Sequence, residues 1–560
     1  MKSLKILFPI LIVAIVTSCC SKGLSEKEAL ELIDKDEILA NVLILSDDDM
    51  EGRFPATEGE IKATNFIARQ FKDNALSPIN GSYFQTLNMI SSKKINEVSY
   101  LTINSQGNDL EYESDINLTY NSLSNKEIVD MEEVPLIFVG YGVEAPEYQW
   151  DDFKGLDLNG KVLLFLNDDP PVTENGAELF KGEIRTYYGR WTYKLEQAKK
   201  HGAKGAIIIH TTKSASYPFS VLQHVGSMES FALESTKINS GLDLVVFVDS
   251  VRSNIIAETM GTNLPGLFEL SASRDFKPMD TGYKISAHIE SYIKPVQTKN
   301  VWGMLQGSDQ ILKDQYIIIT AHHDHLGINE DLPGDDKIYN GAWDNATGVA
   351  STISLAKAFS ALKEKPKRSI IFLACAAEEV GWLGGEWFVN NPPFELKQLV
   401  ANFNIDCPQI FGLTSDISAI GLDMSSLGNI LREVVQKYNI EKSHENGFEL
   451  DLVGDLYPNA GRFYRSDQIS FAKAGIPAIH IKPGAHYLKT IDIDIDEYGM
   501  THYHQVNDEV NDAWDLTGCE RDMKIQFMTI QEVANNKEMP RWLKGNEFED
   551  EWMKLHGVSN

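Results

Sequence analysis

Between residues 299 and 490 three apolar runs, QYIIITA (315–321), RSIIFLAC (368–375) and VANFNID (400–406), alternate with segments of helical periodicity at about 346–362, 380–391 and 425–438. Near-continuous apolar runs need cover on both faces, and strands that alternate with helices pair in parallel. The pattern predicts an α/β fold in three layers, with a mixed, mainly parallel central sheet. In such sheets ligands bind beyond the carboxyl ends of the strands. Here those ends carry chemistry. The first run leads into AHHDHLG, the second into AAEEVG, and the third closes on NFNID. The loop before the first helix reads NGAWDNATG, and a late segment reads HYHQVNDE.

Two metal ions held ~3.5–4 Å apart need a bridging carboxylate and about two further ligands each. Asp344 lies in a glycine-flanked turn and is the natural bridge. His322 and Asp406 complete one site, Glu379 and His504 the other. Imidazoles and carboxylates suit zinc, and the lack of thiolates argues against an iron–sulfur site. Glu378 is left beside Glu379, unspent on metal and placed to serve as general base. Strand alternation puts His322 and Asp324 on one side and His323 on the other. His323, His325, His480, His486 and His502 read as surface or supporting histidines.

These motifs, in this order, resemble those of the co-catalytic di-zinc exopeptidases, peptidase family M28, which includes bacterial double-zinc aminopeptidases and glutamate carboxypeptidases. The similarity runs from DDDMEGRFPATEGE to WLKGNEF. It implies a zinc-exopeptidase fold and two zinc ions per chain, held by His322, Asp344, Glu379, Asp406 and His504. It assigns Glu378 as the proton shuttle, Asp324 as the residue that orients His322, and Tyr503 as a donor to the tetrahedral oxyanion. Asp467 matches an acid of the family near the site, and the Asp344–Asn345 bond is expected to be cis. Two positions depart from many relatives: Trp343 stands where an acid is common, and Gln468 where a histidine is.

The middle of the chain, with GKVLLFLND and KLEQAKKHGAKGAIIIH, is similar to a protease-associated domain, a β-rich α/β insert. The resulting organisation is signal peptide 1–18, tether 19–25, N-terminal part of the catalytic domain 26–125, insert 126–285, and catalytic domain 286–560. The first residues pair Lys2 and Lys5 with an apolar stretch and then VTSC, which resembles a lipobox ending at Cys19. An exported bacterial lipoprotein of the cell envelope, anchored through lipidated Cys19, is the expectation. With 51 Lys and Arg against 81 Asp and Glu the chain carries −30, which argues against a nucleic-acid partner. The five cysteines show no CxxC spacing and read as an anchor, a tether residue and free thiols. The partner is a peptide or protein substrate, and the oligomeric state is open. An aminopeptidase is the first reading. Arg462, Arg465 and Lys482 keep a carboxypeptidase or dipeptidase open, and an inactive peptide-binding lipoprotein is the reading from another class. The single-zinc glutaminyl cyclases of the same fold are disfavoured by the full ligand set.

Overall fold

Each central strand sends alternate side chains into two different helical layers. The computed structural model describes residues 23–558 except 175, 226–228 and 235–240, so the expected signal peptide and Cys19 lie outside the described residues. The principal strands are β1 (Phe84–Lys94), β2 (Tyr100–Ser105), β3 (Leu118–Asn121), β4 (Ile128–Phe138), β5 (Val162–Leu166), β6 (Gly205–Ile209) and β7 (Leu244–Val248). They continue with β8 (Met279–Leu305), β9 (Tyr316–His322), β10 (Ser369–Cys375), β11 (Leu399–Asn404), β12 (Asp416–Ile420), β13 (Asp451–Val453) and β14 (Ala478–Pro483). The main helices are α1 (Glu58–Asp73), α2 (Trp191–Lys200), α3 (Thr347–Ala361), α4 (Leu383–Asn390), α5 (Ser426–Asn446), α6 (Gln468–Lys473), α7 (Ile495–His502) and α8 (Thr517–Asn535).

Strands β14, β11, β9 and β10 run parallel. Antiparallel β12 and β8 flank them. This is the mixed, mainly parallel sheet expected. Ile317, Ile319, Ile370 and Phe372 pack with Phe66 and Phe71 of α1, Ile353 of α3 and Phe527 of α8. Ile318, Ile371 and Leu373 turn the other way, against Phe388 of α4 and Phe471 of α6. Burying an aliphatic side chain fully is worth ~1.5–3 kcal/mol, so a strand apolar at every position has one stable place, the middle layer. In α1, Phe66, Ile67 and Phe71 recur at helical spacing and are buried, whereas Ile61 is 45% exposed, turned out of the apolar stripe.

A second α/β lobe is built on parallel β4, β5, β6 and β7, with β3 antiparallel at its edge. The segment KLEQAKKHGAKGAIIIH forms the end of α2, a turn and β6. One 27-residue strand, β8, joins the lobes. Its first part pairs with β2 and β4, its middle with β1 and its end with β10. Residues 100–121 therefore supply strands to the second lobe upstream of position 126, and β8 crosses position 285. These boundaries are set by pairing partners far away in sequence, which local periodicity does not report. The acidic run at 492–497 caps a helix: Asp494 accepts from the backbone N–H groups of Asp496 and Glu497 at the start of α7.

Candidate metal centre

Parallel register brings the strand ends to one level. His322, the last residue of β9, stands opposite Cys375, the last of β10, and Thr320 stands opposite Asn404, the last of β11. Glu378 and Glu379 follow three and four residues past β10, and Asp406 two past β11. The turns after these strands are tight. Ala377 (φ 56°) and Cys407 (φ 45°) adopt the left-handed region, and so does His504 itself (φ 58°). Such residues cost about 1–3 kcal/mol each and persist only where the surroundings impose them. The backbone is thus bent to aim these side chains.

All five expected ligands converge. Oδ1 of Asp344 lies 3.2 Å from Nε2 of His322, which is 3.7 Å from Oδ1 of Asp406. Oδ2 of Asp344 lies 3.0 Å from Nε2 of His504, which is 3.1 Å from Oε2 of Glu379. The two oxygens of one carboxylate therefore face two separate donor sets. Asp406 Oδ1 and His504 Nε2 are buried without a hydrogen-bond partner. Leaving a buried polar group unpaired costs about 1–3 kcal/mol, more for a charged one. A pair of cations would satisfy both, and the N/O donor set suits zinc. Burial would raise all three carboxylates, but the neighbouring imidazoles outweigh it. Asp344 and Asp406 are held well below the usual range, and Glu379 at about 2.

Glu378 behaves differently. It is 8% exposed, and burial, opposed by His322 but reinforced by Glu379, Asp467 and Asp406, pushes it well above an ordinary glutamate. An acid so raised, beside a metal centre, is suited to accept and return a proton at neutral pH. Asp324 holds it in place: its carboxylate accepts from the backbone N–H of Glu378 at 3.0 Å and of Glu379 at 3.2 Å. The contact to Nδ1 of His322, at 3.2 Å, comes from the backbone carbonyl of Asp324 and not from its carboxylate. Tyr503 stacks on His504 with ring centroids 4.0 Å apart and is 40% exposed.

Several supporting residues carried no sequence signal of their own. Asp508 accepts from the backbone N–H groups of Trp343 and Asp344 at 2.8 and 3.0 Å. Asn345 donates to Ile405 O and accepts from Cys407 N–H, tying the Asp344 loop to the Asp406 loop. Buried Arg53 donates to the carbonyls of His323, Leu45, Asn340 and Gly341. The Asp344–Asn345 bond is cis. His480, driven neutral by burial at about 3, donates from Nε2 to Asp406 O at 3.1 Å, and Lys482 donates to the same oxygen at 2.6 Å. His323 turns away to Lys299 O, and His486 pairs with Asp416 at the surface. Asp467 is fully buried with neither carboxylate oxygen hydrogen-bonded to nitrogen or oxygen; it faces the thiol of Cys375, and burial raises it to about 7. Gln468 accepts from Asn404 at 2.7 Å and donates to Phe463 O. The three described cysteines are buried free thiols.

Gly341 opens the Asp344 loop at φ 58°, and a Cβ there would lie 2.4 Å from Asp344 O and 2.5 Å from Cδ2 of His325. Gly341→Ala should cost at least ~1–3 kcal/mol. Thermal unfolding of the metal-stripped chain reads this as a drop in Tm; an unchanged Tm would mean the loop relaxes freely.

Comparison with known proteins bears on the same residues. Residues 300–527 match the sequence model of peptidase family M28. The chain carries a peptidase family M28 domain. A probable zinc metalloprotease of Pyrenophora teres f. teres is 36% identical over 118 residues, 21% of this chain and 24% of that protein. The glutamate carboxypeptidase 2 homolog of Caenorhabditis elegans is 32% identical over 208 residues, 36% of this chain and 24% of that protein. The alignments thus span about a quarter of the length of these curated relatives. The aminopeptidase from Aneurinibacillus sp. strain AM-1 shares the fold, with a TM-score of 0.50 at 19% identity over 92% of this chain and 97% of that one.

Proposed function

We propose that this M28 chain is a di-zinc exopeptidase acting as an aminopeptidase. One observation carries the reading: Asp344 turns its two oxygens to separate imidazole–carboxylate sets, and the Glu378 carboxylate comes within 4.8 Å of the ligand atoms of His322 and Glu379, one from each set. Zinc bound there would polarise the scissile carbonyl and make an attacking water more acidic. The chain's own residues do the rest. Glu378 takes the proton from that water and returns it to the leaving amine. Asp324 keeps Glu378 in reach through the backbone. Tyr503, exposed beside His504, donates to the developing oxyanion. Trp343 lies 6.5 Å from exposed Tyr503, centroid to centroid, an aromatic wall for the substrate side chain, with buried Tyr498 of α7 behind it at 6.1 Å.

Export and tethering through lipidated Cys19 belong to the same proposal; among the described residues no helix is long and apolar enough to cross a membrane. We read the second lobe as a protease-associated domain that steadies the cleft. Its Arg185 donates to Asn459 O at 2.9 Å, beside the loop that carries Arg462 and Arg465.

Carboxypeptidase or dipeptidase activity is the second reading. Arg465 is exposed and faces the ring of Tyr217 at 5.9 Å, so its charge is open to an anionic group, whereas Lys482 is spent on main-chain oxygens. Matched peptides blocked at one terminus separate the two. We expect N-acetylation to abolish cleavage and C-terminal amidation to leave it. The reverse result would make the enzyme a carboxypeptidase. An inactive binding protein would show a metal content near zero and cleave neither.

A further inference from the structure

His325 is fully buried; it is not one of the five expected ligands, although its ligand atom lies within 4.8 Å of those of Asp344 and Glu379. Its Nδ1 lies 2.6 Å from Oε1 of Glu379, while Oε2 of the same carboxylate faces His504 at 3.1 Å. An ionised carboxylate can only accept, so Nδ1–H is the donor. Nε2 of His325 is buried without a partner. A buried N–H left orphaned is rarer than a bare acceptor, which favours the same tautomer.

Two segments of the site close on this ring, and a third holds its backbone. Gly341, where a side chain would collide with it, lies against Cδ2 and Cγ. The His504 ring stands 5.7 Å away, edge to face. The backbone N–H of His325 donates to Arg53 O at 3.4 Å, and the Arg53 guanidinium in turn holds the carbonyl of Gly341. The imidazole is therefore fixed by packing before it touches Glu379.

We propose that His325 is the positioning residue of the second metal site: by occupying Oε1 it leaves Glu379 a single oxygen to offer and so sets the affinity of the ion shared by Asp344, Glu379 and His504. The inference rests on the two-ion reading of the previous section. Partners that orient a metal ligand are typically worth 10–100-fold in metal affinity. His322 and Asp406 of the first site are not among the partners of His325; the bridge Asp344, whose ligand atom lies within 4.8 Å of the His325 ring nitrogen, is the one group the two share.

The test is calorimetric titration of the full chain, stripped of metal, with zinc. The unaltered chain should show two binding events; a single event would refute the two-ion reading itself. His325→Leu should weaken the second event about 10–100-fold and leave the first unchanged. His325→Asn, whose amide can place a donor near Nδ1, should recover most of the lost affinity. With cobalt as the probe, the second ion's visible absorption should fall in the leucine variant as Glu379 becomes free to bind through both oxygens, and return in the asparagine variant. If the unaltered chain binds two ions and His325→Leu binds both equally well, His325 has no positioning role. If the leucine variant weakens both ions alike and its metal-free Tm falls, or if asparagine recovers nothing, the residue acts through packing or as a ligand, and the proposal is overturned.

Discussion

A Glu378→Ala chain keeps its metal and loses peptide hydrolysis by about 10²–10⁴-fold, the usual worth of a positioned general acid–base. Two features separate Glu378 from its neighbour. Glu379 contacts His504 and His325 at 3.1 and 2.6 Å and is held at about 2, as a ligand must be. Glu378 is raised instead, by burial and by the surrounding carboxylates, so it can hold a proton between the two halves of the reaction. The Asp324 carboxylate grips the backbone of both residues, so removing one side chain leaves the turn intact. Metal content by mass spectrometry together with steady-state kinetics checks the expectation. Near-normal turnover in this variant would sink the mechanism, and loss of metal would make Glu378 a ligand.

Asp344→Ala should empty both sites at once. Asp406→Ala or Glu379→Ala should empty one, because each contributes to a single donor set. Asp344 turns one oxygen to His322 and the other to His504. Loss of Lewis-acid stabilisation worth several kcal/mol corresponds to ~10³-fold or more in rate. On the proposed two-ion reading, metal content should fall from two ions toward none in Asp344→Ala and toward one in the others. Retention of one tightly held ion by Asp344→Ala would mean that the two sites do not share a bridge.

The five expected ligands and Glu378 stand out in the sequence because each sits at the end of a strand or in a turn where the chain pattern itself announces an exit. The supporting groups do not. Asp508 and Asp344 are 164 residues apart, and Arg53 and Gly341 are 288 apart. Nothing in a local pattern says that a buried arginine will spend its donors on four carbonyls. Asp324 shows the intermediate case: its place beside His322 is readable, but whether side chain or carbonyl makes the contact depends on the β10 turn, which arrives from residues 376–379. The limits of the second lobe failed to show for the same reason, since β2 and β3 earn their place by pairing with distant segments.

The amino-acid sequence by itself determined the three-layer sheet, through apolar runs that only a doubly covered strand can bury, and the donor types at its carboxyl edge, through their position after those runs. The tertiary structure alone decided how those donors divide. Parallel register set His322, Glu379 and Asp406 at one level, and left-handed turns aimed the side chains at the cleft. The packing of His325 against Gly341 determined which oxygen of Glu379 is free. Those outcomes depend on distances between segments far apart in the chain, and such distances exist only once the core has closed.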